Sequence, residues 1–235
     1  MTSPEDYERS KRHYRSVAIA EGYDSWRYDT PRGRRRNRRD LGAIDRAVAE
    51  AARRGPPIAS ALDLPSGTGR LVPLLRQRAI AGVGADISIE MMRVARRKYG
   101  AAVPLLQCNA EQIPHRDDAF DAVFSIRFLF HLDRSARGRI LREMRRVSRR
   151  WLILDVRHRY NLRSVVWRLA HRLGLREDLP DRLSRRGLAE ELHESGLEPV
   201  AVCPSRRYVG FFSDKWIVLA EKKAVSPVPV RAATA

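Results

Sequence analysis

The chain has 235 residues, of which 43% are hydrophobic, and a formal net charge of +18 at pH 7. This length is enough for one large α/β domain with a buried core, and the composition is that of a globular protein. No apolar run approaches the roughly 18 residues that a membrane-spanning helix needs. The charged segment 1–15 has no apolar stretch, so we expect no secretory signal.

The number and spacing of the cysteines and histidines argue against a disulfide-stabilised protein and against a metal-binding protein. Only Cys108 and Cys203 are present, far apart in the sequence, and the six histidines show no paired metal-ligand spacing. We therefore expect no disulfide framework and no metal site. The protein fits a reducing, cytoplasmic compartment.

The positive charge has two explanations. The chain contains 46 lysines and arginines, and only five of them are lysine. A basic surface would attract nucleic acid, anionic lipid or acidic substrates. A GC-rich genome, which favours arginine codons, would give the same excess without any function, and the total charge does not distinguish the two.

The N-terminal segment 1–57 is predicted to be helical. Apolar residues between Leu41 and Ala51 recur at helical spacing, Asp40 is a plausible start signal, and Gly55 with the two prolines after it ends the helix. From residue 58 onward, apolar strands alternate with helices. The predicted strands are 58–64, 81–87, 103–107, 121–126 and 151–156, and the predicted helices are 67–78, 88–98 and 135–148.

This alternation predicts a doubly wound α/β fold with a mostly parallel sheet covered by helices on both faces. Two further strands, 200–204 and 216–221, bring the count to seven and are expected to form an antiparallel edge near the C-terminus. Helices are predicted at 161–173, with Leu162, Val165, Val166, Leu169 and Leu173 facing inward, and at 184–195. Residues 224–235 lack periodicity and are predicted to be a disordered tail.

A glycine-containing loop, Asp63-Leu64-Pro65-Ser66-Gly67-Thr68-Gly69-Arg70, follows the first strand. Glycines allow the backbone to turn sharply and to approach a ligand, and the helix N-terminus beyond offers free N–H groups. Asp86 ends the next strand, where a carboxylate accepts hydrogen bonds from ribose hydroxyls. Loop and acid together indicate a cofactor that contains adenosine, without separating a nicotinamide cofactor from S-adenosylmethionine.

Four segments in order resemble the motifs of the class I S-adenosylmethionine-dependent methyltransferases. They are 61–70, 82–88 followed by Met91 and Met92, 108–114, and 119–123. The similarity is greatest to the ubiquinone/menaquinone-biosynthesis branch (methyltransferase type 11). It covers residues 58–156 well and 183–221 more weakly. It implies a Rossmann-like methyltransferase domain at 58–223, with a substrate-side cap inserted at 157–183 and a helical lid at 1–57.

The resemblance also implies roles for individual residues. The loop positions the methionine part of the cofactor, Asp86 holds the ribose, Ile87 packs on the adenine, and Asn109 with Ala110 contacts the adenine edge. The implied cofactor contacts are Asp63, Ser66, Gly67, Gly69, Asp86, Ile87, Asn109, Ala110 and Ser125. The implied substrate-pocket residues are Tyr23, Tyr28 and Arg127. Two residues depart from the family pattern: Pro65 replaces a glycine, and Asn109 replaces an aspartate.

Methyl transfer from a sulfonium is an in-line displacement, so the protein mainly supplies alignment and a pocket that excludes water. A general base is needed only where the acceptor must lose a proton. His131 follows the fourth strand, and an ordinary histidine pKa near neutrality suits that role. The alternative is a loop histidine with a structural role.

The expected acceptor is a small or lipid-like molecule, and the residues leave the acceptor atom and the oligomeric state open. The arginine-rich segment 157–176 predicts contact with an anionic membrane surface, at the inner face of the membrane, or alternatively a cap helix with a solvated basic face. An RNA methyltransferase that uses the basic surface is a competing hypothesis. A non-catalytic S-adenosylmethionine-binding protein is another.

Overall fold

A computed structural model describes residues 4–157, 166, 169–174, 184–206, 213 and 215–223. Three helices precede the sheet: α1 (Pro4–Tyr14), α2 (Val17–Tyr28) and α3 (Pro31–Arg53). Helix α3 ends just before Gly55, as predicted. Its start was predicted wrongly, because Thr30 rather than Asp40 is the N-cap: the Thr30 hydroxyl accepts a hydrogen bond from the Gly33 N–H at 3.0 Å.

The reason for this error is the arginine-rich first turns of α3. They carry no apolar periodicity, so the pattern began only at Leu41, although Pro31 directly after Thr30 is itself a start signal. Asp40 lies inside the helix and is buried.

Seven strands form one sheet in the order β3-β2-β1-β4-β5-β7-β6. The strands are β1 (Ser60–Asp63), β2 (Ala81–Asp86), β3 (Leu105–Gln107), β4 (Phe120–Ser125), β5 (Ser148–Arg157), β6 (Leu197–Pro204) and β7 (Lys215–Lys222). Strands β1 to β5 are parallel, while β7 runs antiparallel to both β5 and β6. The predicted doubly wound, mostly parallel seven-stranded sheet is therefore confirmed, with its antiparallel strand next to the edge strand β6.

Four helices and one short 3₁₀ turn whose bounds lie within the described residues connect the strands. They are α4 (Val72–Gln77), α5 (Ile89–Tyr99), the 3₁₀ turn Leu129–His131, α6 (Arg134–Val147) and α7 (Arg185–Glu194). The hydroxyls of Ser88 and Ser184 cap α5 and α7 by accepting hydrogen bonds from Met91 N–H and Gly187 N–H. Residues 67–71 form turns and not the predicted helix start, so α4 is shorter than its pattern suggested.

Both faces of the sheet are covered by apolar side chains. Ile44 and Val48 of α3 and Leu75 of α4 pack on one face. Ile140, Leu141 and Met144 of α6 and Leu192 of α7 pack on the other. Each face of the sheet therefore buries one apolar layer, and this packing holds the sheet rigid. Because β1, β2 and β4 are parallel, their carboxyl ends lie along the same edge of the sheet.

The predicted helix 161–173 and the cap 157–183 lie mostly outside the described residues, and the tail 224–235 lies wholly outside them. In the predicted helix, Val166 and residues 169–172 are described and are helical. The inward orientation predicted for this helix is wrong for three residues: Val166, Leu169 and Leu173 are 56%, 57% and 64% exposed. In the part of the chain that is described, no helix has the length and apolar character to cross a bilayer.

Candidate cofactor and acceptor site

A cavity of about 860 Å³, including its mouth, opens at the carboxyl edge of β1, β2 and β4. Strand β1 pairs with β2 on one side and β4 on the other, so the chain reverses its direction of winding there. Ligands of doubly wound sheets bind in the crevice at such a switch point. The lining residues are Tyr7, Lys11, Tyr14, Tyr23, Tyr28, Asp63, Pro65, Ser66, Gly67, Thr68, Arg70, Asp86, Ile87, Met91, Ile126, Arg127, Phe128 and His131.

The loop after β1 is fixed by main-chain hydrogen bonds to the neighbouring strand. Ser66 N–H donates to the Ala85 carbonyl at 2.8 Å, and Gly67 N–H donates to Asp86 Oδ2 at 2.8 Å. The other oxygen of Asp86 accepts from Ser88 N–H at 2.9 Å. Asp86 therefore ties the glycine loop to the start of α5 and stands at the floor of the cavity.

The two loop glycines have different reasons to be glycine. Gly67 has φ +54°, and a Cβ there would meet nothing within 4 Å, since the position faces the open cavity. Gly69 has φ +79°, and a Cβ there would lie 2.7 Å from the Tyr99 ring. Gly69 thus serves packing against α5, outside the cavity wall, whereas Gly67 leaves space for a ligand.

Pro65, the departure from the family pattern, does not disrupt the loop. The residues on either side of it donate normally: Leu64 N–H bonds to the Phe124 carbonyl at 2.9 Å, and Ser66 N–H bonds to Ala85. The missing N–H of proline therefore leaves the loop's hydrogen bonds to the strands intact. The proline ring lines the cavity.

Two buried carboxylates make this end of the cavity electronegative. Burial, followed by repulsion from Asp86, raises the pKa of Asp63 well above its ordinary value, although Arg70 opposes the shift. Burial also raises the pKa of Asp86, while the N–H groups of Ser88 and Gly67 oppose it. A ligand that carries positive charge or hydroxyl donors would relieve the desolvation of both acids.

Unsatisfied hydroxyls lie at the same edge. The Ser66 and Ser125 Oγ atoms are buried and have no hydrogen-bond partner among the described residues. Buried polar atoms in native proteins are almost always paired, so Ser66, which lines the cavity, indicates a polar ligand there, whereas Ser125 is not among the lining residues. With the open space at Gly67 and the acid at Asp86, the residues fit a nucleoside-type cofactor.

Helices α1 and α2 supply an aromatic wall opposite the strands. Tyr23 packs edge-on against Tyr14 at 6.1 Å and against Tyr28 at 6.0 Å between ring centroids. Tyr7 lies 6.3 Å from Phe128, which follows β4. Tyr23 and Tyr28 line the cavity, and their contact with an acceptor stays a prediction. Trp26 of the same helix is 67% exposed.

The sequence did not single out Tyr7, Lys11, Tyr14, Thr68, Arg70 or Phe128 as cavity residues. Helix α1 has no apolar stripe from which its inward face is readable, and its contact with the cavity depends on tertiary packing. One local signal existed: Thr68 and Arg70 lie within the glycine loop itself.

Polar contacts connect the loop to the N-terminal helices. Thr68 Oγ1 donates to Asp24 Oδ1 at 2.7 Å, and Lys98 forms an ion pair with the same aspartate. Arg70 Nε donates to Asn37 Oδ1 at 2.7 Å. These contacts hold α2 and α3 against the cofactor loop, so the aromatic wall and the loop are positioned together.

Arg127 follows β4 and has φ +66°, a left-handed conformation that is uncommon for arginine. Its backbone N–H donates to Asp155 Oδ1 at 2.6 Å. Lys215 Nζ contacts Asp155 Oδ2 at 3.0 Å and Asp40 Oδ2 at 2.9 Å. This buried chain of charges from α3 through β7 to β5 holds the backbone of Arg127 in its unusual conformation.

His131 lines the cavity as predicted, but its pKa is not near neutrality. Burial, followed by repulsion from Arg157 and Arg127, lowers the pKa of His131 to about 4. The imidazole is therefore neutral and only weakly basic at physiological pH. The expectation of a neutral-range pKa was wrong, because the sequence did not show the two arginines beside the ring.

Asn109 and Ala110 are not among the residues that line the cavity. Asn109 is exposed, and its Oδ1 accepts a hydrogen bond from Glu111 N–H at 3.1 Å. Ala110 is buried in the core cluster under the sheet. Cys108 N–H bonds to the Asp86 carbonyl at 3.0 Å, which fixes this segment beside β2. The adenine contacts implied for Asn109 and Ala110 stay predictions.

Part of the chain is similar to known methyltransferases. Residues 62–151 match the family model of the methyltransferase domain. The chain is 41% identical over 86 residues to a demethylmenaquinone methyltransferase of Thermus thermophilus, covering 34% of this chain and 36% of that protein. It is 36% identical over 112 residues to the ubiquinone/menaquinone biosynthesis C-methyltransferase UbiE of Hahella chejuensis, covering 41% and 43%. The matched segments thus span about two fifths of these relatives' length.

Solved structures share the fold at low identity. Magnesium protoporphyrin IX methyltransferase from Synechocystis, solved with bound SAH, aligns with a TM-score of 0.70 at 19% identity, covering 92% of this chain and 100% of that one. The 1,6-didemethyltoxoflavin-N1-methyltransferase of Burkholderia thailandensis aligns with a TM-score of 0.62 at 18% identity, covering 95% and 92%.

The sheet order, the glycine loop and the match of residues 62–151 agree with a class I, S-adenosylmethionine-dependent methyltransferase domain. Over about two fifths of its length the chain is similar to ubiquinone and menaquinone biosynthesis methyltransferases. The predicted resemblance is thereby confirmed.

Proposed function

We propose that this protein transfers the methyl group of S-adenosylmethionine to a small acceptor bound in the cavity between the glycine loop and helices α1 and α2. The observation that carries the proposal is Asp86. It is buried at the end of β2, accepts the Gly67 N–H at 2.8 Å, and lines the cavity at the switch point of the sheet.

Within this proposal, the cofactor occupies the end of the cavity that holds the carboxylates. Asp86 accepts hydrogen bonds from the ribose hydroxyls, and Ile87 packs against the adenine. Asp63, Ser66 and Gly67 face the methionine part, and Ser125 supplies its unsatisfied hydroxyl nearby. Gly69 supports cofactor binding indirectly, because it allows the loop to pack against α5. Asn109 and Ala110 are proposed to contact the edge of the adenine.

The bound cofactor supplies an activated methyl group on a sulfonium. The residues of this chain then align and enclose the reactants, which is the main requirement of an in-line displacement. Tyr14, Tyr23 and Tyr28 on one side and Phe128 on the other exclude water from the acceptor end. The depressed pKa of His131 supports a positioning role more than general-base catalysis.

The enclosing helices favour a small acceptor over RNA. Tyr7 of α1 is buried against Phe128, so the aromatic wall restricts access to the reacting end. The aromatic lining is suited to a planar or lipid-like molecule. An RNA acceptor would need a nucleotide to pass this wall, and the exposed basic surface alone does not provide that passage.

Contact with an anionic membrane surface is part of the proposal for a lipid-like acceptor. The exposure of Val166, Leu169 and Leu173, in a segment rich in arginine, supports it. Sedimentation with anionic and with neutral liposomes at low salt tests the idea. We expect the protein to sediment with the anionic vesicles and not with the neutral ones. If the same fraction of protein sediments with both kinds of vesicle, contact with an anionic membrane surface is contradicted.

The function is tested first by titrating S-adenosylhomocysteine into the purified protein in a calorimeter. Gly67→Ala places a Cβ in the proposed cofactor space, and we expect it to weaken binding about tenfold. Gly100→Ala is the matched control, because Gly100 also has positive φ (+69°) and open space around its Cβ position, but lies at the end of α5. Both substitutions place alanine at a positive φ, which has a backbone cost of about 1–3 kcal/mol.

No binding by the wild type, or an equal loss in both variants, contradicts the proposed site. In a second step, S-adenosylmethionine labelled in the methyl group is incubated with cell extract and the protein. We expect label in the organic-soluble fraction. Label in RNA instead would support the competing function, and binding without any transfer would support a non-catalytic protein.

A further inference from the structure

The acceptor end of the cavity is electropositive, in contrast to the cofactor end. Burial raises the pKa of Tyr14 and lowers the pKa of His131, and the positive charges of Arg127 and Arg157 act to lower both. Lys11 of α1 lines the same cavity. His131 is neutral and adds no charge. Lys11 and Arg127 are thus the lining cations away from the acids, whereas Arg70 lines the cavity beside Asp63 and opposes the charge there.

Arg127 differs from the other cations in its contacts. The Lys11 ammonium is paired with Glu8 at 2.6 Å and stacks over the Tyr7 ring at 3.9 Å. Arg157 stacks over the Phe130 ring at 4.0 Å. The Arg127 side chain makes no hydrogen bond or ion pair with any residue that the structure describes, and its Nε is buried without a partner. A buried donor of this kind is costly unless a ligand satisfies it.

The backbone of Arg127 is fixed at the same time. Its N–H is held by Asp155, which is fully buried, and its φ of +66° is maintained by that contact. A strained backbone that presents an unpaired guanidinium to a cavity is typical of a preorganised binding group. Asp155 accepts from the main chain, so it anchors Arg127 without a hydrogen bond to its guanidinium.

From this arrangement we infer that the methyl acceptor is an aromatic oxyanion, a carboxylate or a phenolate, whose charged oxygen is bound by Arg127. The inference rests on the proposed function and specifies its acceptor class. The aromatic wall formed by Tyr14, Tyr23 and Phe128 receives the ring of the acceptor, and the guanidinium supplies charge-assisted donors for the oxygen.

The test uses two probes that differ only in charge, 2-naphthoate and 2-naphthamide, titrated against protein saturated with S-adenosylhomocysteine. We expect the wild type to bind the carboxylate at least about tenfold more tightly than the amide. Arg127→Met should reduce this preference to less than about threefold, and Arg127→Lys should retain part of it, because a charge without the planar fork remains.

Arg186→Met, on the exposed surface of α7, is the control and should leave the preference unchanged. Affinity for S-adenosylhomocysteine should stay within about threefold in every variant, since Arg127 is not among the proposed cofactor contacts. Equal binding of the two probes, binding of neither, or an unchanged preference in Arg127→Met overturns the inference. If S-adenosylhomocysteine itself does not bind, the proposed function fails, and that result is separate from the probe comparison.

Discussion

Lys215 Nζ lies between two buried carboxylates, 2.9 Å from Asp40 and 3.0 Å from Asp155. Burial alone would raise the pKa of Asp40, but Lys215 and Arg70 hold it below its ordinary value. One ammonium from β7 thus pairs with an acid of α3 and an acid of β5, and Arg70 supplies a second cation to Asp40. Because Asp155 also anchors the Arg127 backbone, this contact joins the stability of the sheet to the geometry of the cavity.

Lys215→Met should therefore destabilise the protein strongly. It leaves buried Asp155 without its cation and leaves Asp40 with Arg70 alone, at 3.4 Å, and breaking a buried pair in this way costs about 3–5 kcal/mol. Urea unfolding of the variant and the wild type measures the difference.

Lys223→Met is the matched control, because Lys223 is exposed and pairs with Glu198 at the surface. We expect it to change stability by less than about 0.5 kcal/mol. Adding Asp40→Asn to Lys215→Met should recover part of the loss by removing one uncompensated charge. Equal stability of the two single variants would show that the buried ions contribute little.

Asp86→Asn should weaken cofactor binding without unfolding the domain. The amide replaces one of the two oxygens that accept the Gly67 and Ser88 N–H groups, so a donor then faces a donor. We expect affinity for S-adenosylhomocysteine to fall about 10- to 100-fold, as measured by calorimetry.

The free energy of unfolding of Asp86→Asn should fall by only about 1–3 kcal/mol, the cost of one buried donor without an acceptor, so the domain should remain folded. Asp117→Asn serves as the control, since Asp117 is an exposed acid that pairs with Arg146. Wild-type affinity in Asp86→Asn would remove this carboxylate from the cofactor site.

Binding of S-adenosylmethionine should weaken as the pH falls. Burial and the neighbouring Asp86 raise the pKa of Asp63, so a proton is retained on it at a pH where an ordinary aspartate is ionised. Only the ionised form attracts the cationic cofactor. Affinity should therefore be highest above the raised pKa and should be lost as the pH drops through it.

Calorimetry from about pH 5 to pH 8, in two buffers with different ionisation enthalpies, detects the protons released on binding. S-adenosylhomocysteine, which lacks the sulfonium charge, should show a smaller pH dependence. The same pH dependence for both ligands would argue against an electrostatic role of Asp63.

Replacement of His131 by glutamine should leave turnover within about threefold of wild type, well below the 100-fold or greater loss expected for a general base. With its pKa lowered to about 4, the ring is already neutral across the working range and has little basicity to lose. The rate profile between about pH 5.5 and pH 8 should have the same shape in both proteins.

His193→Gln on the exposed side of α7 is the control for a general effect of removing a histidine. If one limb of the profile of rate against pH disappeared in His131→Gln but not in His193→Gln, His131 would act as the general base.

Much of the fold follows from local signals. The strand and helix alternation from residue 58 onward was readable because a parallel sheet requires near-continuous apolar strands and amphipathic helices. The caps Ser88 and Ser184 and the stop at Gly196 (φ +74°) follow from side-chain and backbone chemistry at single positions. The start of α3 was missed because arginine-rich helical turns have no such apolar period.

The sequence by itself determined the class of domain, the glycine loop and the placement of Asp63 and Asp86 at neighbouring strand ends, since these depend on short segments. Only the tertiary structure decided the aromatic wall of α1 and α2, the neutral state of His131 and the fixed backbone of Arg127. Asp155 lies 28 residues from Arg127, and Asp40 lies 175 residues from Lys215. Contacts over such separations depend on how whole elements pack, and the pKa of a group depends on the burial and charges that this packing creates.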